Sequence, residues 1–340
     1  MSDAATTRLA RLHHWTADQH RLPADALDLR LAAGDASFRR YFRLTLPDGT
    51  TRMLMDAPPR KEDSTPFVAI ARAWADAGLP VPGLHAVDLE AGFLELDDLG
   101  DTPLQHHFRD VDAGETLDWH ERAMALLHTL QNQAPSAALP AYDADLLGRE
   151  LDLFPEWCLD GWLEMPVPAG WAALRDSLIA SALAQPVVAV HRDFDAMNLM
   201  VHDQQLFLID FQDAVAGPIS YDLISLLRGR YCRFPARRFN AWVEAFRRQA
   251  VTDGRLPNGI DTATFLGQVQ AMAAQRALKV LGIFCRLTLR DGRTGYLERL
   301  PHFLDHLEDS LAGIAGHADF RQWLAETFRP SLTRRLEAHQ

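Results

Sequence analysis

The prevailing hydrophobic period of this chain changes after about residue 97, and that change limits the fold more than any other feature. Before it, outside two helical stretches, the apolar segments are short and alternating, which is typical of strands. After Asp97–Asp101 the pattern follows the 3.6-residue period of amphipathic helices. The sequence therefore predicts an α+β fold of two lobes. Residues 1–98 form an antiparallel sheet with one inserted helix, and residues 99–340 form a larger, mainly helical lobe.

Turn and cap residues set the limits of the predicted elements. Pro47-Asp48-Gly49-Thr50 is a strong hairpin turn, while Ser64 or Thr65 can cap a helix that Gly78 ends. The predicted strands of the first lobe are Ala26–Leu31, Phe38–Leu46, Arg52–Asp56, Leu84–Leu89 and Gly92–Leu96. The predicted helices are 5–22, 65–78, 114–132, 143–160 and 168–184, with a helical region from about Ser220 to the end.

An island of short strands interrupts the helical part, at Val187–Val190, Asn198–Val201 and Gln205–Ile209. It carries the spacing H-x-D-x-x-x-x-N from His191 to Asn198, and the last strand leads into Asp210. Kinase-type phosphoryl transfer needs this arrangement.

We expect Asp193 to act as the catalytic base beside the acceptor hydroxyl. Asn198 and Asp210 would hold Mg²⁺ against the phosphates of ATP. His191 is predicted to support the catalytic loop through hydrogen bonds, and Asp195 and Asp203 can be ordinary turn residues.

The turn between the first two strands is predicted to cover the nucleotide. Its backbone N–H groups at Gly34 and Asp35, and the hydroxyl of Ser37, are suited to phosphate oxygens. Three arginines follow at once, and Arg40 and Arg43 both remain candidates for a phosphate contact, with Arg39 and Arg43 on one face of the strand and Arg40 on the other. A hairpin of this kind is a weak signal without the later motif.

Composition excludes several other classes of protein. With 34 basic and 46 acidic residues the formal net charge is −12, which disfavours a nucleic-acid partner or an anionic membrane surface. The only lysines are Lys61 and Lys279, and neither lies in a Gly-Lys-Ser/Thr sequence, so a Walker P-loop is excluded. Three scattered cysteines and a charged N-terminal region favour a reducing, cytoplasmic location.

The chain resembles the aminoglycoside phosphotransferase and choline kinase superfamily over residues 30 to 290. The resemblance rests on Gly34–Leu44, Phe93–Asp101, His191–Asn198, Ile209–Asp213 and Gly217–Leu223. It implies a kinase-like fold with Asp193 as base, Mg²⁺ on Asn198 and Asp210, and adenine held by the backbone near Asp97–Leu99. Asp222, in the last segment, is predicted to support the catalytic loop together with His191.

Within that superfamily, three strings resemble a bacterial branch of anomeric sugar kinases. They are Leu54–Pro59, Leu96–Asp101 and Arg149–Trp157. The resemblance implies an amino-sugar substrate, N-acetylmuramate or N-acetylglucosamine, phosphorylated at the 1-position in cell-wall recycling. Which of the two sugars is preferred, which anomer forms, and what oligomer assembles stay open.

The chain departs from the superfamily at its phosphate-binding ion pair. Met55 stands where we align the usual strand lysine, and Phe67 stands where we align its helical glutamate. Loss of both partners is coherent, because either one alone would leave an uncompensated charge. Phosphate charge must then be neutralised by Mg²⁺ and an arginine of the first hairpin. On this basis we expect replacement of Lys61 or Lys279 to leave phosphoryl transfer nearly intact.

Residues for the acceptor are harder to select. Carboxylates and an aromatic ring suit a sugar, which makes Glu150, Glu156, Trp157 and Asp213 candidates, although helical spacing equally places Trp157 in the core. The arginine clusters at 228–233 and 286–293 could neutralise a carboxylate on the acceptor or form a solvated face. A kinase of an aminoglycoside, an amino alcohol or homoserine is the alternative function, and a nucleotide-binding pseudokinase is a further one.

Overall fold

The computed structural model describes residues 3–34 and 38–339, which form two compact units. The first comprises the chain up to Leu104 together with Asn198–Asp213. The second comprises Gln105–Met197 and the chain from Ala214 onward. An antiparallel sheet dominates the first unit and helices dominate the second, so the predicted α+β class is confirmed.

The sheet of the first unit has five strands: β1 (Asp28–Gly34), β2 (Arg40–Thr45), β3 (Thr51–Asp56), β4 (Leu84–Asp88) and β5 (Phe93–Asp97). They are antiparallel and lie in the order β1-β2-β3-β5-β4. The turn at residues 47–50 joins β2 to β3 in the register that pairs Tyr41 with Met55. All five predicted strands are therefore present, with ends that differ by at most three residues.

Two helices cover this sheet because each has one apolar face. Helix α1 (Asp3–His20) contributes Leu12 and Ala17 to a core with Phe42, Leu44, Leu54 and Phe93. Phe42 and Leu44 alternate along β2, which puts both on the same face of the sheet. Helix α2 (Thr65–Asp76) is the inserted helix that the sequence predicts, and its buried side chains are Phe67, Val68, Ile70, Ala71 and Trp74.

A two-stranded ribbon completes the first unit. It consists of β7 (Leu199–His202) and β8 (Gln205–Leu208), joined by a tight turn. The N–H of Val201 donates to the carbonyl of Thr102, and the N–H of Leu208 donates to the carbonyl of Pro80, both at 2.8 Å. These bonds attach the ribbon to the chain that leaves the sheet. The division into a nucleotide-covering lobe, residues 1–98, and a lobe that carries the catalytic, metal and acceptor sites, residues 99–340, stays a prediction.

The second unit consists mostly of helices. They are α3 (Gly114–Gln133), α4 (Ala144–Leu153), α5 (Trp171–Leu183), α6 (Tyr221–Leu227), α7 (Ala236–Thr252), α8 (Thr262–Leu289), α9 (Leu300–Ala312), α10 (Ala318–Trp323) and α11 (Arg329–Glu337). Helix α4 continues into a π-helical stretch, Phe154–Leu163. A second ribbon pairs β6 (Val187–Val190) with β9 (Val215–Pro218).

Helix α8 is the axis of the main core. Its 28 residues bury Leu278, Leu281 and Phe284 against Phe303 and Leu307 of α9. Leu278 and Leu281 are fully buried, which is the pattern of a helix surrounded by other elements rather than lying on the surface. In the described part of the chain, no helix combines the length and the apolarity needed to cross a bilayer.

Candidate active site

The loop that follows β6 is held by one buried carboxylate. Asp222 lies in the first turn of α6 and is fully buried. Its Oδ2 accepts from the backbone N–H of His191 at 2.7 Å, and its Oδ1 accepts from that of Arg192 at 3.0 Å. Burial raises the pKa of Asp222 to about 7, although both N–H groups act in the opposite direction. Asp222 thus fixes the two residues that precede Asp193.

Asp193 itself lies in a tight turn. Its backbone N–H donates to Nδ1 of His191 at 3.3 Å, and its carbonyl accepts from the N–H of Asp195 at 2.8 Å. His191 is fully buried and packs edge-on against Phe194. Arg192 has a φ of +74°, in the left-handed region. Asp193 is half-buried, so this rigid loop presents a carboxylate that retains some exposure.

Asp195 is a buried charge that sequence reasoning missed. It is 1% exposed and lies 3.3 Å from Nε of Arg230 and 3.8 Å from a terminal nitrogen of Arg276. Burial raises the pKa of Asp195, while the two guanidinium groups act against that rise. From the sequence it is indistinguishable from a turn residue, because its partners lie far along the chain.

The two predicted metal ligands lie at the same end of the β7–β8 ribbon. The N–H of Ile209 donates to the carbonyl of Asn198 at 3.1 Å, which brings the backbone before β7 to the residue before Asp210. Asn198 is buried, and Asp210 is half-buried with a φ of +63°. Gln212 donates to Oδ1 of Asp210 at 2.8 Å. Amide and carboxylate oxygens are hard donors of the type that Mg²⁺ prefers, so this donor set fits the predicted metal.

An aromatic stack supports the end of the ribbon. Phe211, which follows Asp210, is fully buried, and its ring stacks on Phe67 of α2 with 4.9 Å between centroids and 18° between planes. Trp74 contacts the same ring at 5.4 Å. Met55, at the position aligned with the kinase lysine, is also fully buried. Apolar packing therefore occupies the positions at which we align a lysine and a glutamate.

Arg40 is paired inside the first unit. It donates to Oδ2 of Asp56 at 2.5 and 3.1 Å, and Arg8 donates to Oδ1 of the same carboxylate at 2.5 Å. Asp56 is fully buried, so it needs both cations. Gly34, the last residue of β1, belongs to the predicted nucleotide-covering turn, whereas Asp35 and Ser37 lie outside the described residues.

Arg43 connects β2 to the segment after β5. Its guanidinium donates two hydrogen bonds to the carboxylate of Asp98 and two to that of Asp101, at 2.6 to 3.0 Å. Burial opposes ionisation of Asp98, but Arg43 lowers its pKa below the usual value. Asp97 accepts from the N–H of Gly83 at 2.8 Å, and Leu99 is buried. These contacts immobilise the segment whose backbone is predicted to hold adenine.

Arg39 occupies a different environment from its two neighbours. Its side chain is 6% exposed, and Nε lies 3.2 Å from Oε1 of Glu62, just before α2. The guanidinium carbon is 6.0 Å from the centroid of Phe67. A buried cation with a carboxylate partner therefore lies over the ring of Phe67, the residue that we align with the kinase glutamate.

The four candidates for the acceptor differ in their environments. Glu150 is 5% exposed and enclosed by hydrogen-bond donors of the second unit. Glu156 is exposed, and Trp157 is partly buried against the helical core. Asp213 is exposed and belongs to the first unit. Enclosure of Glu150 argues against direct contact with a sugar, and the other three stay predictions.

The arginines of the 228–233 cluster are mostly paired with acidic residues of α9. Arg228 donates to Asp309 at 3.0 Å, and Arg233 donates to Asp305 and to Asp309 at 2.9 to 3.0 Å. The third arginine of the cluster is Arg230, which contacts Asp195 as described. Of the three, Arg230 is thus the one tied to the catalytic loop.

The fold and the HxD loop define a kinase-like phosphotransferase, and the chain belongs to the phosphotransferase enzyme family, whose model matches residues 28–257. It is 39% identical over 298 residues to an N-acetylmuramate/N-acetylglucosamine kinase of Pseudomonas aeruginosa, covering 86% of this chain and 87% of that protein. It is 38% identical to the Pseudomonas putida protein of the same name, covering 88% of each chain. The predicted superfamily is confirmed.

Solved structures confirm the kinase-like fold. Plasmodium vivax ethanolamine kinase superposes with a TM-score of 0.62 at 8% identity, covering 88% of this chain and 86% of that one. A choline/ethanolamine kinase family protein from Mesorhizobium loti superposes with a TM-score of 0.57 at 16% identity, covering 88% and 91%. At such identities the likeness concerns the fold alone.

Proposed function

We propose that this protein uses ATP to phosphorylate the anomeric hydroxyl of N-acetylmuramate or N-acetylglucosamine, giving the sugar 1-phosphate. We place the reaction in peptidoglycan recycling in the cytoplasm. The observation that carries the proposal is the similarity to the two Pseudomonas kinases, at 39% and 38% identity. Because those matches cover 86% and 88% of this chain, they include parts of both units.

The chemical step falls to Asp193. As the anomeric oxygen attacks the γ-phosphorus, the bond to the β-phosphate oxygen breaks and ADP leaves, while the hydroxyl proton passes to the Asp193 carboxylate. An anomeric hydroxyl is more acidic than an ordinary alcohol, so a carboxylate suffices as base. The backbone N–H groups of residues 191 to 193 donate to Asp222 and to Nδ1 of His191, and these hydrogen bonds support this role because they fix the backbone that leads to the carboxylate.

Asn198 and Asp210 would hold Mg²⁺. When bound, the ion neutralises negative charge on the nucleotide phosphates. Gln212 donates to Oδ1 of Asp210 and so restricts rotation of the carboxylate. The remaining nucleotide contacts stay as predicted: Gly34, Asp35, Ser37 and Arg40 for the phosphates, and the backbone from Asp97 to Leu99 for adenine.

Arg39 supplies a further positive charge for the phosphates. It is buried over Phe67 and paired with Glu62, so it reproduces within one unit the cation-and-carboxylate pair that Met55 and Phe67 cannot form. Arginine suits this task because its planar fork binds phosphate oxygens in pairs.

The proposal is tested by Asp193→Asn. An amide of the same shape cannot accept the proton, so we expect folded protein, nearly unchanged binding of MgATP, and a loss of turnover of at least ~100-fold. Asp203→Asn is the matched control, because this exposed turn residue has a φ of +48°, which asparagine tolerates. Turnover is measured as ADP release with N-acetylmuramate, N-acetylglucosamine, ethanolamine, homoserine and kanamycin.

The acceptor panel separates the alternatives. Turnover with an amino alcohol, homoserine or an aminoglycoside, and none with either amino sugar, would refute the substrate assignment while preserving the kinase. Binding of MgATP without turnover on any acceptor would favour the pseudokinase. Identification of the product as the 1-phosphate by phosphorus NMR completes the test.

A further inference from the structure

A buried charge cluster lies beside the catalytic loop and is not used by the reaction described above. Its centre is the carboxylate of Glu150 in α4. Oε1 accepts from Nη2 of Arg192 at 2.7 Å and lies 2.8 Å from Nζ of Lys279, while Oε2 accepts from the hydroxyl of Tyr142 and from Gln275. Four donors thus enclose a side chain that is 6% exposed.

The cluster is ionised at neutral pH. Burial alone would raise the pKa of Glu150, but the charges of Lys279 and Arg192 outweigh it and lower that pKa to about 2. Lys279 also donates to the hydroxyl of Tyr221 at 2.8 Å, and its own pKa is raised. Removing any one charge would leave the others buried without compensation.

The cluster reaches the reaction through Arg192. This residue directly precedes Asp193 and has a φ of +74°, a conformation that costs free energy for any residue other than glycine. Its guanidinium donates to Glu150 through two nitrogens, at 2.7 and 3.2 Å. The side-chain bonds to Glu150 therefore oppose relaxation of the backbone next to Asp193.

We propose that Glu150 and Lys279 are positioning residues, which hold Arg192 in its left-handed conformation and so set the place of the Asp193 carboxylate. The effect on turnover rests on the proposed role of Asp193. One of the two lysines of the chain thus acts at the phosphoryl-transfer step without contacting phosphate. This changes both expectations from the sequence, since Glu150 is not a sugar ligand and Lys279 is not dispensable.

The test compares Lys279→Met with Lys61→Met. Lys61 is exposed and rests over the ring of Phe38 at 4.4 Å, so its replacement should change neither turnover nor exchange. For Lys279→Met we expect kcat to fall ten- to a hundredfold with KM for ATP within threefold, because a displaced base slows the chemistry more than it weakens nucleotide binding. Hydrogen exchange of peptides containing His191–Asp193 should accelerate at least tenfold.

Glu150→Gln is the second variant, since it keeps the volume of the side chain and removes the charge. It should show the same pair of effects, and the double variant Glu150→Gln/Lys279→Met should lose less kcat than the product of the single losses. If Lys279→Met does not fold, Glu150→Gln alone decides by the same two readouts.

The proposal is overturned if exchange of the loop is unchanged in the folded variants, or if kcat is unchanged while exchange accelerates. If wild-type protein transfers phosphate to no acceptor, the proposed function fails, and the exchange rates alone decide the positioning role.

Discussion

Three arginines stand within five residues at the start of β2, and each has a different carboxylate partner. Arg40 is bound to the fully buried Asp56, and Arg43 is bound to Asp98 and Asp101. Arg39 is paired with Glu62, whose side chain is 19% exposed. Sequence alone left Arg40 and Arg43 as equal candidates for a phosphate contact. The position of Arg39 over Phe67, the residue that we align with the kinase glutamate, makes it a third candidate.

Replacement of Arg39 by methionine tests that choice. Methionine matches the length of the side chain and packs on Phe67, so the fold should be retained, while kcat/KM for ATP should fall about ten- to a hundredfold through loss of a charged hydrogen bond to phosphate. Steady-state kinetics with varied MgATP measure the loss.

Arg60→Met is the control for that measurement, because Arg60 is exposed on the same segment, between β3 and α2. Arg39→Lys should recover part of the loss, since it restores the charge but not the planar fork. Unaltered kinetics in Arg39→Met would show that the phosphates are neutralised without this residue.

The sequence predicts the catalytic and metal-binding residues better than it predicts which side chains contact one another. Asp193, Asn198 and Asp210 follow from spacing along the chain, because one loop and one ribbon carry them. The partners of Glu150 could not be predicted, since Lys279 lies 129 positions away. The sequence pattern around Lys279 indicates an amphipathic helix but not what that helix contacts. Pairing across such a separation depends on how α4 and α8 pack, which the pattern of either helix does not specify.

At the scale of elements, the sequence predicts most of the fold because each element has its own signal. The hairpin turn, the helix caps and the alternation along β2 and β3 are local, and all five strands appear near their expected positions. Strand β9 was not predicted, because Val215–Pro218 is four residues long and contains a glycine and a proline. It exists through its pairing with β6, which is a tertiary contact.

Helix α2 has a structural consequence for the metal ligands. Its Phe67 stacks on Phe211, and Phe211 is bonded directly to Asp210, so the helix supports the end of the ribbon through an aromatic contact rather than through an ion pair. Such a contact does not titrate and is little affected by salt.

Phe67→Ala should therefore affect both stability and the metal site. Truncation of a buried phenylalanine costs about 3–5 kcal/mol of unfolding free energy, and the freed Phe211 should loosen Asp210 enough to raise the Mg²⁺ concentration for half-maximal turnover several-fold. Urea unfolding and a magnesium titration of turnover measure the two effects. Phe38→Ala, at a side chain that is 57% exposed, should change neither. A destabilised variant with an unaltered magnesium dependence would show that α2 does not support the metal ligands.

For the whole molecule, one source of acid sensitivity lies in the second unit, where three described histidines have a lowered pKa. Burial lowers the pKa of His120 and of His128 to about 4, and that of His306 to about 3. Arg255 adds to the effect at His128 and donates a hydrogen bond to its Nδ1 at 2.6 Å, which requires that nitrogen to be unprotonated. His120 is stacked on Phe108 at 4.4 Å between centroids. These rings are neutral in the native state at pH values where an unfolded chain would protonate them.

The direction of the pH dependence follows from proton binding. Well above pH 6.5 these histidines are neutral in both states and contribute nothing. Between about pH 6.5 and 4 the unfolded state binds more protons on them, so they lower stability as the pH falls, by at most about 1.4 kcal/mol per histidine per pH unit. Asp222 acts in the opposite direction over this range, because its raised pKa lets the native state hold a proton that the unfolded state lacks. His128→Gln removes one such group while keeping an acceptor for Arg255, and should make the slope shallower by up to about 1.4 kcal/mol per pH unit. Urea unfolding at pH 7, 6 and 5 measures it. His14→Gln, at an exposed position of α1, should leave the slope unchanged, and a slope equally steep in His128→Gln would locate the acid sensitivity elsewhere.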